Sequence, residues 1–177
     1  LGSDRTSFIY LAEQLASYGF AVAVPEHPGS NAEQLRSLFS GQAAEIAEPS
    51  EFVNRPLDVK YLLDELERLN AVNPSWQLNV QRAAIIGQSF GGYTALALAG
   101  ASLNFSQLRQ DCNNPKDIWN LSLLLQCRAL ALPLTQDNLK DWRIKAAIAI
   151  NPFTSSIFGE LGLRKIQIPV AIVSSSA

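Results

Sequence analysis

Four short runs of this chain are apolar at almost every position: "FAVAV" (20–24), "RAAIIG" (82–87), "IKAAIAI" (144–150) and "PVAIVSS" (169–175). A strand with one wet face alternates apolar and polar residues, so runs without alternation call for a sheet covered on both sides. Helical spacing fills the intervals. "SFIYLAEQLASY" (7–18) sets Phe8, Leu11, Leu15 and Tyr18 on one helical face and stops at Gly19. "RPLDVKYLLDELERLN" (55–70) aligns Leu62, Leu63, Leu66 and Leu69, with Pro56 in the first turn. Residues 32–55 read as an irregular excursion with a short helix. Strands that alternate with helices predict an α/β fold: a doubly wound, mainly parallel sheet with helices on both faces, in one domain over 1–177.

Composition narrows the function classes. A chain of 177 residues can bury a substantial core. Its net charge of −2, with no basic block, gives nucleic-acid binding little electrostatic support. No apolar run approaches the roughly 18 residues of a membrane span. Cys112 and Cys127 are the two cysteines, outside any CxxC pair, and the single histidine, His27, cannot complete a tetrahedral zinc site with them. They are either one disulfide closing a small loop or two buried thiols. A disulfide would favour an oxidising, extracytoplasmic compartment.

The junction after the second run carries the chemistry. In "AAIIGQSFGGYTALALAGA" (83–101) a strand-like stretch gives way to an alanine-rich helical one, and Gly87-Gln88-Ser89-Phe90-Gly91 matches G-x-S-x-G at the switch. In that motif the serine sits on a sharp, strained strand-to-helix turn that projects its hydroxyl above the sheet. The flanking Gly87 and Gly91 are expected to be glycine because a Cβ would collide with a neighbouring element, and Gly92 to relieve the same crowding. The plainer alternative is a tight turn whose serine caps the helix. A phosphate-binding loop fails on chemistry: the residue after Gly92 is Tyr93, where a lysine is needed.

"LGSDRTSFIYLAEQLASYGFAVAVPEHPGSN" followed by "GQSFGGYTAL" resembles the α/β-hydrolase superfamily, and within it the branch of dienelactone-hydrolase-like proteins and platelet-activating-factor acetylhydrolases. That branch has an "HGLG" loop before "RT", a helix, "ASxGFxVA" and an "EH" pair. The resemblance covers about residues 1–100 and returns at "AAIAINP" and "IPVAIVSSSA". It implies that Leu1 and Gly2 end the HGLG loop, that Glu26-His27 is the EH pair, and that the Leu1 and Phe90 amides form an oxyanion hole. His27 and Gln88 are candidate pocket-lining residues. The implied activity is hydrolysis of carboxylic esters by Ser89, without metal or organic cofactor.

A nucleophilic serine needs a histidine base and a carboxylate that orients it, in the chain order Ser, Asp or Glu, His. No histidine follows Ser89. His27 is expected to pack the loop, bond Glu26 or line the pocket mouth rather than serve as base. The strand that supplies the acid in the acetylhydrolase branch ends here in Asn151, which cannot carry the charge. Asp137 and Asp141 read as surface residues or helix ends. The chain thus reads as an α/β-hydrolase domain truncated at both ends, with acid and base beyond it. The 102–142 insertion, with Trp119, Leu123, Leu124 and Leu125, is either a lid over an acyl pocket or a small core of its own. As a lid it would make the ester lipid-like. Two other functions stay open: a non-catalytic ligand-binding or interaction module that kept the fold, and an acyltransferase using the same site.

Overall fold

The computed structural model describes residues 3–45, 47–113, 120–133 and 138–175. Three strands, β1 (Ala83–Gln88), β2 (Ile144–Ile150) and β3 (Val170–Val173), form a parallel sheet in the order β1-β2-β3. They coincide with the last three apolar runs. Helices α1 (Ile9–Ser17), α2 (Ala32–Phe39) and α3 (Glu51–Val72) precede the sheet. Helices α4 (Phe90–Ala99), α5 (Phe105–Cys112) and α6 (Leu121–Cys127) connect β1 to β2, and α7 (Ser155–Leu163) connects β2 to β3. The fold is mixed α/β with parallel strands.

The first apolar run departs from expectation. Residues 20–24 join no strand ladder, and Phe20 is 62% exposed, with Val22 and Val24 also exposed. A strand's backbone groups are satisfied by a neighbouring chain segment, so strand-like composition without a partner forms no strand.

Cover on both faces is also only half met. Residues paired across a parallel ladder share a face. Ala147 and Ala149 are buried, and Ala149 lies in a core with Phe90, Tyr93, Phe52 and Phe153. A second cluster joins Leu63 of α3 to Leu98 of α4 and Ile144 of β2. The opposite face runs through Ala84, Ile148, Ala171 and Val173, which are exposed. Among the described residues, helices therefore cover one face.

Helix α3 starts at Glu51, so Pro56 lies inside it rather than in its first turn. Proline has no N–H to give the carbonyl four residues earlier. That carbonyl belongs to Phe52, and the buried Tyr93 hydroxyl of α4 donates to it at 2.8 Å. The defect in one helix becomes a cross-link to the next.

Of the two expected readings of the 102–142 insertion, a small core of its own does not describe its packing. Its buried Leu108, Ala129, Leu132 and Leu139 belong to the same core as Phe90 and Phe158. Leu123 is buried, Leu125 packs partly against that core, and Leu124 is exposed. Trp119 lies outside the described residues, as do Leu1, Gly2 and Asp137. Cys112 and Cys127 form a disulfide that joins the ends of α5 and α6. Beside it, buried Gln126 accepts hydrogen bonds from the Ser156 and Ile157 amides at 3.0 Å each, which caps α7.

Candidate functional site

Ser89 ends β1 and starts α4 with φ 54° and ψ −114°. Side chains other than hydrogen rarely tolerate that conformation, which costs about 1–3 kcal/mol. Contacts on both sides enforce it. The Ser89 amide donates to the Ile150 carbonyl at 2.9 Å, extending the β1–β2 ladder by one residue. Its carbonyl accepts from the Tyr93 amide at 3.2 Å, opening the helix. A Cβ on Gly87 would lie 2.0 Å from the Gly91 carbonyl oxygen, and one on Gly92 would lie 2.9 Å from Pro152 Cβ. Gly91 differs from the expectation: a Cβ there would meet nothing within 4 Å. The crowding that demands glycine acts at positions 87 and 92, because the first turn of α4 approaches the strand end and the residue after Asn151.

The helix-capping alternative for Ser89 does not describe the structure. Asn31, Asn104 and Asn120 each accept from a first-turn amide of the helix they precede. Serine is an equally good capping residue. Yet Ser89 makes no side-chain cap bond, and among the described residues its hydroxyl has no hydrogen-bond partner. It is half-buried at the carboxyl edge of the sheet, where open α/β sheets bind ligands. The neighbouring Phe90 amide is in the first turn of α4, where N–H groups lack intrahelical acceptors. Phe90 itself is fully buried by its ring. Gln88 is exposed at the end of β1.

His27 does not bond Glu26. Its Nδ1 lies 2.7 Å from Asp58 Oδ2 of α3, while the Glu26 carboxylate accepts from the Arg5 amide at 2.9 Å. An ionised carboxylate can only accept, so Nδ1 carries the proton and Nε2 the lone pair. Burial and the nearby Arg55 charge lower the His27 pKa, against opposing contributions from Asp58 and Glu51. The ring is therefore neutral near pH 7. No hydrogen bond joins it to Ser89 among the described residues.

A polar cluster that the sequence reading missed lies between the His27 loop and the start of α4. The Arg55 guanidinium carbon sits 4.7 Å from the Phe90 ring centroid. Arg55 Nε donates to Thr94 Oγ1 at 3.3 Å and Nη1 to Ser30 Oγ at 2.5 Å. Ser30 in turn donates to Glu51 Oε2 at 2.9 Å. Burial pushes the Arg55 pKa down to about 10, with Glu51 and Asp58 opposing, which leaves it cationic at neutral pH. The signal was available: Glu51, Arg55 and Asp58 fall at i, i+4 and i+7, an alternating-charge stripe on one helical face.

The acidic candidates separate by position. Asp141 is not a surface residue: it is 4% exposed and paired with Arg143, its Oδ2 2.6 Å from Nη2. It precedes β2, at the amino edge of the sheet, so the strand's length of about 20 Å separates it from the level of Ser89. Asn151, at φ 42°, uses its Oδ1 to accept from the Ser175 amide at 2.7 Å. Its side chain thus ties the end of β2 to the segment after β3. Among the described residues no group of three His, Cys, Asp or Glu is placed to hold a metal ion, and no helix is long and apolar enough to cross a membrane.

Compared with protein-family models, curated proteins and solved structures, the chain matches none.

Proposed function

We propose that this chain carries the nucleophile of a serine hydrolase acting on carboxylic esters, on a sheet of α/β-hydrolase type. One observation carries the reading: Ser89 is held in a strained strand-to-helix turn, and its hydroxyl makes no cap bond and no other hydrogen bond among the described residues. Backbone strain that the surrounding structure over-determines clusters at functional sites. The motif and its resemblance to the dienelactone-hydrolase-like branch support the same reading.

In this mechanism Ser89 Oγ attacks the ester carbonyl and its proton passes to a histidine. The carbonyl oxygen, now negative, accepts from the Phe90 amide and from a second donor on the loop at the start of the chain. Collapse expels the alcohol, which takes the proton, and water then releases the acid from Ser89. The proton carrier of such a nucleophile is a histidine oriented by a carboxylate. A second reading keeps the proton carrier within the chain, because Asp58 holds His27 by Nδ1 as a triad acid holds its histidine. The disulfide favours an oxidising compartment outside the cytoplasm.

Labelling of the full-length protein with a fluorophosphonate tests the proposal. Wild type is expected to label and Ser89→Ala to lose the label. Equal labelling of both would remove Ser89 from the mechanism, and no labelling of either would favour a non-catalytic binding module. Loss of labelling in His27→Gln at unchanged stability would assign the base to His27. Product analysis with competing alcohols separates hydrolysis from acyl transfer.

A further inference from the structure

A buried cation beneath an aromatic cluster is an expensive feature, since an apolar side chain of similar volume would fill the space without desolvating a charge. Arg55 is a half-buried cation of this kind, and two of its contacts, the Phe90 ring and the Thr94 hydroxyl, belong to α4, which starts at the Ser89 turn. Its guanidinium carbon lies over the ring of Phe90, the residue after the nucleophile. Its Nε bonds the hydroxyl of Thr94, which itself donates to the Phe90 carbonyl at 3.0 Å. Its Nη1 bonds Ser30, which is anchored to Glu51 one turn earlier in α3. On its other sides the Phe90 ring meets Phe52, Phe153 and Tyr93, with centroids 4.9, 5.1 and 5.7 Å away. Tyr93 is fastened to α3 through the Phe52 carbonyl.

We infer that Arg55 is a positioning residue for the oxyanion donor: together with the Phe52–Tyr93 cross-link it clamps the first turn of α4 to α3 and fixes the direction of the Phe90 amide. This rests on the ester-hydrolase reading for its catalytic consequence, but the clamp itself is a property of the fold. A donor amide works only when aimed at the place the oxyanion will occupy. The ring and the carbonyl of Phe90 can both be held without obstructing its N–H. The guanidinium suits the task, because it lies over the ring and bonds two hydroxyls from one rigid fork, which an ammonium does not.

The test compares wild type, Arg55→Met and Arg55→Lys in the full-length protein. Turnover of a p-nitrophenyl ester, thermal stability and backbone hydrogen exchange over residues 88–92 are measured for each. Loss of the clamp is expected to lower kcat about 10- to 100-fold, in line with a misaimed catalytic group, with KM within about twofold. Exchange at residues 88–92 is expected to quicken. Arg55→Lys is expected to recover little, since it restores charge without the plane. A folded Arg55→Met protein with wild-type kcat would overturn the inference, as would full rescue by Lys. If Arg55→Met does not fold, Phe90→Leu, which removes the stacked ring, must show the same selective fall in kcat or the inference fails. If wild type neither turns over ester nor labels at Ser89, the functional reading falls. The clamp is then judged by exchange alone: faster exchange in the Arg55 variants sustains it and unchanged exchange ends it.

Discussion

A Cβ atom added to Gly87 would stand 2.0 Å from the carbonyl oxygen of Gly91 and 2.3 Å from its carbonyl carbon. Both neighbours are backbone, and both belong to the turn that sets Ser89, so neither can yield without unwinding it. Gly87→Ala is therefore expected to cost about 3 kcal/mol or more, at the upper end of overpacking effects. Gly91→Ala is expected to behave oppositely. Its Cβ meets nothing within 4 Å, and alanine is preferred over glycine in a helix by about 0.5–1 kcal/mol. Denaturant midpoints at unchanged m-value measure both. A tolerated Gly87→Ala would mean that the turn is looser than described.

The contrast between these glycines marks how far the sequence could be read. The strand-to-helix switch at Ser89 was legible because apolar run, glycine, serine and alanine-rich run occur in order within one short stretch. Which of three glycines faces backbone was not, since that depends on how closely α4 approaches Pro152. The runs 82–87, 144–150 and 169–175 were legible as strands, and "FAVAV" at 20–24 misled because pairing needs a neighbour that composition does not reveal. Pro56 suggested a helix start, yet the helix begins at Glu51, since the Tyr93 hydroxyl, 37 positions along, satisfies the carbonyl that proline leaves open. Arg55 drew no role from the sequence, because its partners Ser30, Thr94 and Phe90 are each remote in the chain.

Ser89 should be more stable as glycine than as alanine. At φ 54° and ψ −114° any Cβ carries the strain, whereas glycine reaches positive φ freely. Relief of about 1–3 kcal/mol outweighs the extra unfolded-state entropy of glycine, about 0.5–1 kcal/mol. Ser89→Gly is thus expected to exceed Ser89→Ala by about 1 kcal/mol, the reverse of the usual helix-region order. Both variants are expected to lose the nucleophile. Parallel denaturation of the two proteins measures the difference, and an alanine variant of equal or greater stability would show that position 89 is unstrained.

The disulfide is expected to stabilise the region between β1 and β2. Cys112 and Cys127 are separated by 15 residues, for which loop-closure entropy gives about 3 kcal/mol. Reduction, or Cys112→Ser with Cys127→Ser, should lower the unfolding free energy by that order. The loss should also reach α7, because Gln126 adjoins Cys127 and holds the Ser156 and Ile157 amides. Hydrogen exchange at those two amides is expected to quicken on reduction. Unchanged stability with reductant would show that the bridge constrains little.

His27 should make the fold sensitive to mild acid. Burial, then the Arg55 charge, lowers its pKa below the ordinary value of 6.5, although the Asp58 hydrogen bond and charge and the Glu51 charge pull the other way. The unfolded chain therefore takes up a proton at higher pH than the native protein does. Stability is complete above about pH 6.5 and falls as pH drops through that value toward the lower native pKa. Adding the proton charges a ring held away from water and places a second cation beside Arg55, and the native state resists both. His27→Gln removes the titrating group, so its stability should lose that slope between about pH 8 and about pH 5.5. Denaturation of both proteins across this range measures the effect. Parallel curves would assign any acid sensitivity to other groups, and a wild type that gains stability on acidification would mean that Asp58, not burial, governs the imidazole.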